Sequence, residues 1–519
     1  MVAFGAILTR RKRPSDRAAS SVLLLILCTA CSTWAAVSKG EGCTTAFVID
    51  RDCDGYGVGS ALGPDADDTD PTVNTAASAL AKYGTLDQLL AHLGYNPTRK
   101  LFIATDGDDH RGKPNQETKP YATFAKVSTM LRAGDAVIWR AGTYFEPLNP
   151  QQGGRSGKPI LYMAYPGEKA IIDHKVSSDG FSAGQNSHWV LDGLVLRNTF
   201  NDLGRGIRGH ELSDITIRNV EVTHYYTAIF LMNGLRDVTI EYSSLHDTTA
   251  THSIYLGSRE RPNSNITVRG NLIYNAAEHG FQHNGRVTNL IVENNVIHGN
   301  TDGCISLLEG VSHSSIQNNV CFNNGRSALI FWNYDSNDNT IRQYDQNYNT
   351  IRHNTFYING RDSGADAVSR HQAILVEVQN PDREPRDMGH NTYEANVFCV
   401  VTGGPVIQYR VLGHLQTDTY RNNILYTDGP APVNVAGSSH DWEWFLGLGA
   451  LITGNVNTDP RFVPADPSWH KEPDRFDLRP QSDSPAIGLA GTSSVEASRT
   501  GHTNTDAGAY AHVPGSKKN

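Results

Sequence analysis

The chain has 519 residues, with 48 Gly and only 5 Met, and a formal charge of −9. It is too long for one small core, has too few apolar runs for a multi-span membrane protein, and is too acidic for a nucleic-acid partner to be expected. Frequent Gly, Asn, Asp, Ser and Thr describe a turn-rich β protein rather than a helical one.

The first predicted element is an export signal over residues 1–35. Basic Arg10–Arg17 precedes the apolar run Ser21–Cys31, and Thr33 and Ala35 are small enough for a signal peptidase. The run is too short to span a membrane as a stable helix, so a secreted or periplasmic protein is expected. Cys31 offers lipid anchoring as the alternative. Without this segment the balance is 40 basic against 53 acidic residues, or −13. In an oxidising compartment Cys43 and Cys53 are close enough to clip a loop, whereas Cys304, Cys321 and Cys399 lie in apolar strand patterns and read as buried thiols.

Residues 36–75 are acidic. Asp50, Asp52 and Asp54 alternate before Gly55, and Asp65, Asp67, Asp68 and Asp70 follow. Hard oxygen ligands at i, i+2 and i+4 around a glycine turn suit Ca²⁺; a complete EF-hand is excluded because Ala61 stands where the last glutamate belongs. The segment resembles the short DxDxDG calcium repeats of secreted bacterial and thrombospondin-type proteins. That resemblance implies a structural Ca²⁺ held by Asp50, Asp52, Asp54, Asp65, Asp67 and Asp68; the competing reading is a solvated acidic linker. Residues 76–99 then read as a linker of one or two short amphipathic helices.

Residues 100–458 repeat. "NLIYN" and "NVIHGN" place Asn271 and Asn295 at the same point of two copies 24 residues apart, Asn319 follows after another 24, and looser copies carry Asn354, Asn396 and Asn423. Each copy has an alternating strand, a polar break, a second strand, a looser turn and a third strand such as "AIFL" or "ALIF". A unit this short cannot bury its own face and must stack on its neighbours. Three short strands per coil, stacked about 4.8 Å apart, make a parallel β-helix, with the Asn row stacked at an inward turn. The LxxLxL pattern of a leucine-rich horseshoe is absent.

Both ends carry a family likeness. Leu101–Pro147, with Gly107, Asp109, Gly134, Asp135, Gly142 and Tyr144, resembles the opening of the pectate lyase-like superfamily. The closing segment 459–519, through Asp459–Pro464, Phe476–Gly488 and Asp506–Tyr510, is similar to the end of its secreted bacterial members. The resemblance implies an all-β, right-handed parallel β-helix with an N-terminal capping helix. It does not imply one chemistry, since the superfamily holds lyases, hydrolases, epimerases and adhesins.

Aligning the third strands on Ile229, Ile254, Phe281, Cys304, Leu329 and Ile374 stacks His252, His279 and Asp302 in one row. Thr251, Glu278, Thr301, Arg326 and His371 form the neighbouring row, while Tyr255, Gln282, Asn284, Trp332 and Glu377 point outward and His283 inward. Titratable groups on consecutive rungs are costly unless they pair or act; the bland alternative is that these histidines only bond turns. The expected function is a polysaccharide lyase acting by β-elimination on a uronate glycan. Arg326, helped by Arg286, would neutralise the carboxylate, His279 or His252 would take the proton and Tyr255 would protonate the leaving oxygen. A glycoside hydrolase would lean on Asp302 with Glu278 or Glu309, and a binding-only solenoid is the third reading. A polysaccharide partner, no membrane span and a monomer are expected. The insertions 334–348 and 378–390 are expected to wall a groove.

Overall fold

The structure, a computed structural model, describes residues 45–174, 178–199, 203–333, 344–360, 371–378, 387–462, 473–491, 496–497, 502–503 and 506–510. The expected signal segment, Cys31, Cys43, and most of the two insertions lie outside them. Two short helices open the described chain, α1 (Ala76–Tyr83) and α2 (Leu86–His92). Thr75 and Thr85 cap them by accepting the N–H of Ser78 and Gln88.

The rest is a right-handed parallel β-helix. Its second strands form an 11-stranded sheet, while the first and third strands join into one 23-stranded sheet. They join because Ile254–Arg269 and Phe281–Glu293 run from the third strand of one coil into the first strand of the next without a break. A third helix, α3 (Phe124–Ser128), plugs the first coil by setting Phe124 5.6 Å from Trp139 and 6.1 Å from Tyr162. Asp109 fixes its start, accepting the Ala122 N–H at 2.9 Å and the Thr123 hydroxyl at 2.7 Å.

The asparagine row holds the stack together. The Oδ1 of Asn319 accepts both the backbone N–H (3.1 Å) and the side-chain Nδ2 (2.9 Å) of Asn295, whose Nδ2 also donates to the Val268 carbonyl at 2.9 Å. The same pattern links Asn271 to Asn295, Asn319 to Asn354, Asn354 to Asn396, Asn396 to Asn423 and Asn423 to Asn455. These side chains are 0–8 % exposed, so no water can replace a lost partner. On the outer surface a second row runs Asp192, Arg218, Glu241, Arg269, Glu293, Gln317, Arg352, Glu394 and Arg421 on consecutive coils. The near-perfect alternation of sign puts opposite charges on adjacent rungs, as in Arg269–Glu241 at 2.7 Å.

Two cysteines correct the sequence reading: Cys304 and Cys321 form a disulfide, with Cα atoms 6.2 Å apart. The first precedes a third strand and the second sits mid-way along the second strand Val320–Phe322, and both are buried in the lumen, where the coil brings them together. Cys399 is buried and free, as expected.

Asn295→Ala removes two side-chain donations and the acceptor for the Asn271 backbone N–H. A loss of about 1–3 kcal/mol of stability is expected for the stranded buried groups. Denaturant titration measures it; an unchanged midpoint would contradict a stabilising role for the row.

Candidate functional site

Each coil offers three outer faces, and the chain itself covers parts of two: Leu86, Leu90 and Tyr95 pack on the first-strand sheet of the early coils, and both ends reach the second-strand sheet. On the second-strand sheet the rings of His246, Tyr274, His298 and Phe322 stack in a row at 4.5, 5.2 and 4.9 Å. Phe47 from the acidic leader lies edge-on 5.2 Å from Tyr274, and the Ala46 carbonyl meets His298 Nε2 at 2.7 Å. From the closing segment, Phe476 covers Phe322 at 5.1 Å. The first-strand face carries the charge ladder. The third-strand face presents partly exposed aromatic, carboxylate and guanidinium groups.

The register on that face differs from the expected one at a single coil. Phe281 pairs with Ile305, not Cys304, and Ile305 with Leu329. Asp302 therefore leaves the histidine row and joins Glu278 and Arg326. The backbone carries this row directly: Asp302 N–H donates to the Glu278 carbonyl at 3.1 Å, and Arg326 N–H to that of Asp302 at 3.3 Å. Gly303 takes the vacated place beside His279, where an added Cβ would stand 2.8 Å from the Ser327 carbonyl oxygen and 3.0 Å from His279 Nδ1.

His252 and His279 stack at 5.2 Å, and each uses Nδ1 to accept a turn amide of the next coil: His279 N–H at 3.3 Å and Gly303 N–H at 2.9 Å. Nδ1 is then the acceptor and Nε2 carries the proton. His252 Nε2 lies 3.1 Å from Glu278 Oε2, as a donor to that carboxylate. Burial, and then the neighbouring ring, depresses His252 to about 3; burial, and then Arg326, depresses His279 to about 4. Both rings are neutral at pH 7, with their basic nitrogens engaged. This is turn bonding, not the near-neutral titration that a base role calls for.

The carboxylates are set apart from each other. Arg326 contacts Asp302 Oδ2 at 3.0 Å, so Asp302 stands as half of an ion pair. Burial, and then Asp302 itself, raises Glu278 above the usual glutamate range. Two carboxyls thus stand on adjacent rungs in unlike surroundings, one raised by burial and the other held by an arginine.

The other expected residues scatter along the face. Tyr255 stacks on Phe230 at 5.2 Å and on His252 at 5.4 Å, and its hydroxyl accepts from Asn284 at 3.3 Å. Gln282 is outward in register but buried, at 6 % exposure. Arg286 turns away, its guanidinium 4.5 Å from the Tyr344 ring centre. Trp332 and Glu377 pair directly with each other two to three coils further on; burial raises Glu377, against the pull of Arg410. His283 is inward and fully buried, 3.1 Å from Asn263. Arg205, Arg208 and Phe230 escaped notice in the sequence. Extending the row one coil back from Thr227 would have found Arg205.

The acidic leader contains two overlapping groups whose oxygens lie within 4.8 Å of one another: Asp50, Asp52 and Asp68, and Asp52, Asp54 and Asp65. Both oxygens of Asp52 and one each of Asp54 and Asp65 are buried without a hydrogen-bond partner. Burial, reinforced by neighbouring aspartates, lifts Asp52 to about 6, Asp65 to about 7 and Asp68 to about 8. Oxygen-only ligands with orphaned buried atoms, more numerous than the one nearby cation Arg51 can offset, fit a hard divalent cation. Asp67 does not join them; it bonds His92 at 2.8 Å, Tyr83 at 3.1 Å and Thr69 at 2.6 Å, anchoring α1 and α2.

Comparison with known proteins agrees with the architecture. A family model described as "Right handed beta helix region" matches residues 167–321. The crystal structure of pectate lyase Pel9A superposes with a TM-score of 0.51 at 15 % identity, over 81 % of this chain and 98 % of that one. The complex of XylC with xylose gives 0.43 at 11 % identity, over 70 % and 87 %. The uncharacterized protein YwoF of Bacillus subtilis (strain 168) is 35 % identical over 72 residues, 14 % of this chain and 15 % of that protein's length. The fold is that of the pectate lyase-like right-handed β-helices, and at such identities the likeness is one of fold alone. Among the described residues no helix is long and apolar enough to cross a membrane.

The neutral histidines have a consequence for acid stability. An unfolded histidine takes its proton near 6.5, whereas folded His279 waits until about 4 and His252 until about 3. Between those values the unfolded chain binds more protons, so stability should fall as pH drops from about 6.5 towards 4. Melting temperatures across that range should decline less steeply for His279→Gln than for the parent chain. Equal slopes would mean that the ring does not stay neutral.

Proposed function

We propose that this chain is an exported glycoside hydrolase acting on a polysaccharide laid along the third-strand face. Glu278 is the proton donor and Asp302 its partner carboxylate. One observation carries the reading: the two sit on directly hydrogen-bonded neighbouring coils. The rung spacing of about 4.8 Å is close to the roughly 5–5.5 Å between carboxyls in retaining glycosidases. In that reaction Glu278 protonates the departing glycosidic oxygen while Asp302 attacks the anomeric carbon and forms a glycosyl ester. Glu278, now the base, then takes a proton from water, which displaces Asp302. Arg326 holds the Asp302 carboxylate in place.

β-Elimination from a uronate is the second reading. It is favoured by the stacking of His252 on Tyr255, a base-and-acid pair on one face. Two features weigh against it: Nδ1 of both histidines is engaged, and the carboxyls of Glu278 and Asp302 would repel a uronate from the same spot. The products discriminate. Hydrolysis gives new reducing ends without ultraviolet absorbance, and Glu278→Gln or Asp302→Asn should lower kcat by about 10²–10⁴-fold. Absorbing, unsaturated ends that survive Asp302→Asn would hand the site to elimination. Absence of turnover on a panel of neutral and acidic glycans would favour a binding solenoid.

A structural Ca²⁺ in the leader belongs to the same proposal, held by Asp50, Asp52, Asp54, Asp65 and Asp68. Its support is the set of orphaned buried oxygens. Bound there, it would neutralise the loop that presses Phe47 and Ile49 onto the solenoid. Chelation should lower the melting temperature of the parent chain, and Asp52→Ala should abolish that response. Identical responses in the two would move the ion elsewhere.

A further inference from the structure

Arg205 stands on the same face as the carboxyl pair, three coils earlier. It pairs with Thr227, and Thr227, His252 and His279 occupy successive rungs of one row. Its guanidinium makes no ion pair among the described residues, and its Nε is buried without an acceptor. The group rests on aromatic rings, 4.9 Å from the centre of Phe230 and 6.0 Å from that of Tyr226. Two coils outward of Arg205, Tyr255 stacks on Phe230, so the aromatic surface continues towards Glu278. Arg208, half exposed, lies beside it; its one partner among the described residues, Asp179, contacts it at 3.3 Å and also accepts the Arg205 backbone N–H at 3.0 Å. Among the described residues the local charge is therefore two cations against one carboxylate. An unmatched guanidinium held over aromatic faces, with an N–H directed at no acceptor, is built to receive an anionic oxygen.

We propose that Arg205, assisted by Arg208, forms a distal subsite for an acidic substituent, carboxylate or sulfate, on a glycan lying over Phe230 and Tyr255. This rests on the hydrolase reading for its direction, but not for its existence. Three rungs of about 4.8 Å put the subsite about 15 Å from Glu278. One sugar cannot reach both, so the ligand is an oligosaccharide. At physiological ionic strength charges that far apart are screened, with a Debye length of about 8 Å. An anion at Arg205 is therefore compatible with the carboxyl pair, which itself disfavours an acidic sugar at the point of cleavage. The substrate class that satisfies both ends is a mixed glycan, with a neutral residue between Glu278 and Asp302 and an acidic one towards the N-terminal coils.

The test is binding of oligogalacturonides, sulfated galactan oligosaccharides and uncharged galacto-oligosaccharides of matched length, by calorimetry on the full chain at low and high salt. At least one charged probe should bind about tenfold more tightly than the neutral one, the value of one charge-assisted contact. Arg205→Ala should erase that preference, Arg205→Lys should restore part of it, and high salt should weaken it. The carboxylated and sulfated probes distinguish the two sources of the anion. Glu278→Gln should leave the preference intact, so the subsite can stand even if no glycan is hydrolysed. Equal binding of charged and neutral probes, or a preference that Arg205→Ala leaves unchanged, would overturn it. Circular dichroism and melting of Arg205→Ala guard against misfolding, and Arg208→Ala, removing the more exposed cation, supplies an independent reduction of the same preference.

Discussion

Every feature of this protein hangs on the rung: the parallel pairing that sets each coil directly over the one before. Parallel ladders are satisfied only from above and below, so a coil has no stable existence apart from its neighbours. The turn is the weak point of such a stack, because backbone groups there point into a dry interior. The asparagine row meets that need, each amide donating to the next amide and to a carbonyl of the previous coil while accepting the previous asparagine's backbone N–H. It also fixes register: slipping one strand by a residue would break the row and turn its apolar side chains outward.

Once register is fixed, chemistry becomes a matter of columns. Residues 22 to 45 apart in sequence become neighbours, and what matters is whether consecutive coils place complementary or competing groups in the same column. The first-strand column solves this structurally, by alternating sign from Asp192 to Arg421. The third-strand column does not alternate. Glu278 sits over Asp302, Asp302 over Arg326, and two neutral imidazoles lie alongside with their Nδ1 atoms spent on turns. Like groups on adjacent rungs cost stability, and their persistence on one open face marks it out from the self-satisfied ladder.

The two terminal segments cover part of the solenoid. The leader and the closing segment both fold back on the second-strand sheet, Phe47 and Phe476 covering its stacked rings. Among the described residues, the third-strand face is the one on which neither segment is seen to pack. The leader's packing also ties the acidic loop to the stability of the whole, since Arg51 reaches from the loop to the ring of Tyr242 at 4.1 Å.

The repeat period, the inward asparagines, the capping helix and the alternating aspartates were all legible in the sequence, because each is a local pattern of residue type and spacing. So was the cast of the open face. What the sequence could not decide was who stands beside whom. A coil of 24 residues allows its third strand to start at Cys304 or Ile305, and both are apolar; only stacking on Phe281 and Leu329 selects Ile305. That single step moved Asp302 from the histidines to Glu278, and freed Cys304 to meet Cys321 across the lumen. Protonation was equally hidden, since the depression of His252 and His279 comes from burial and from turn amides contributed by other coils. Residue type and period are written along the chain; column, burial and pairing exist only between coils, and tertiary packing alone assigns them.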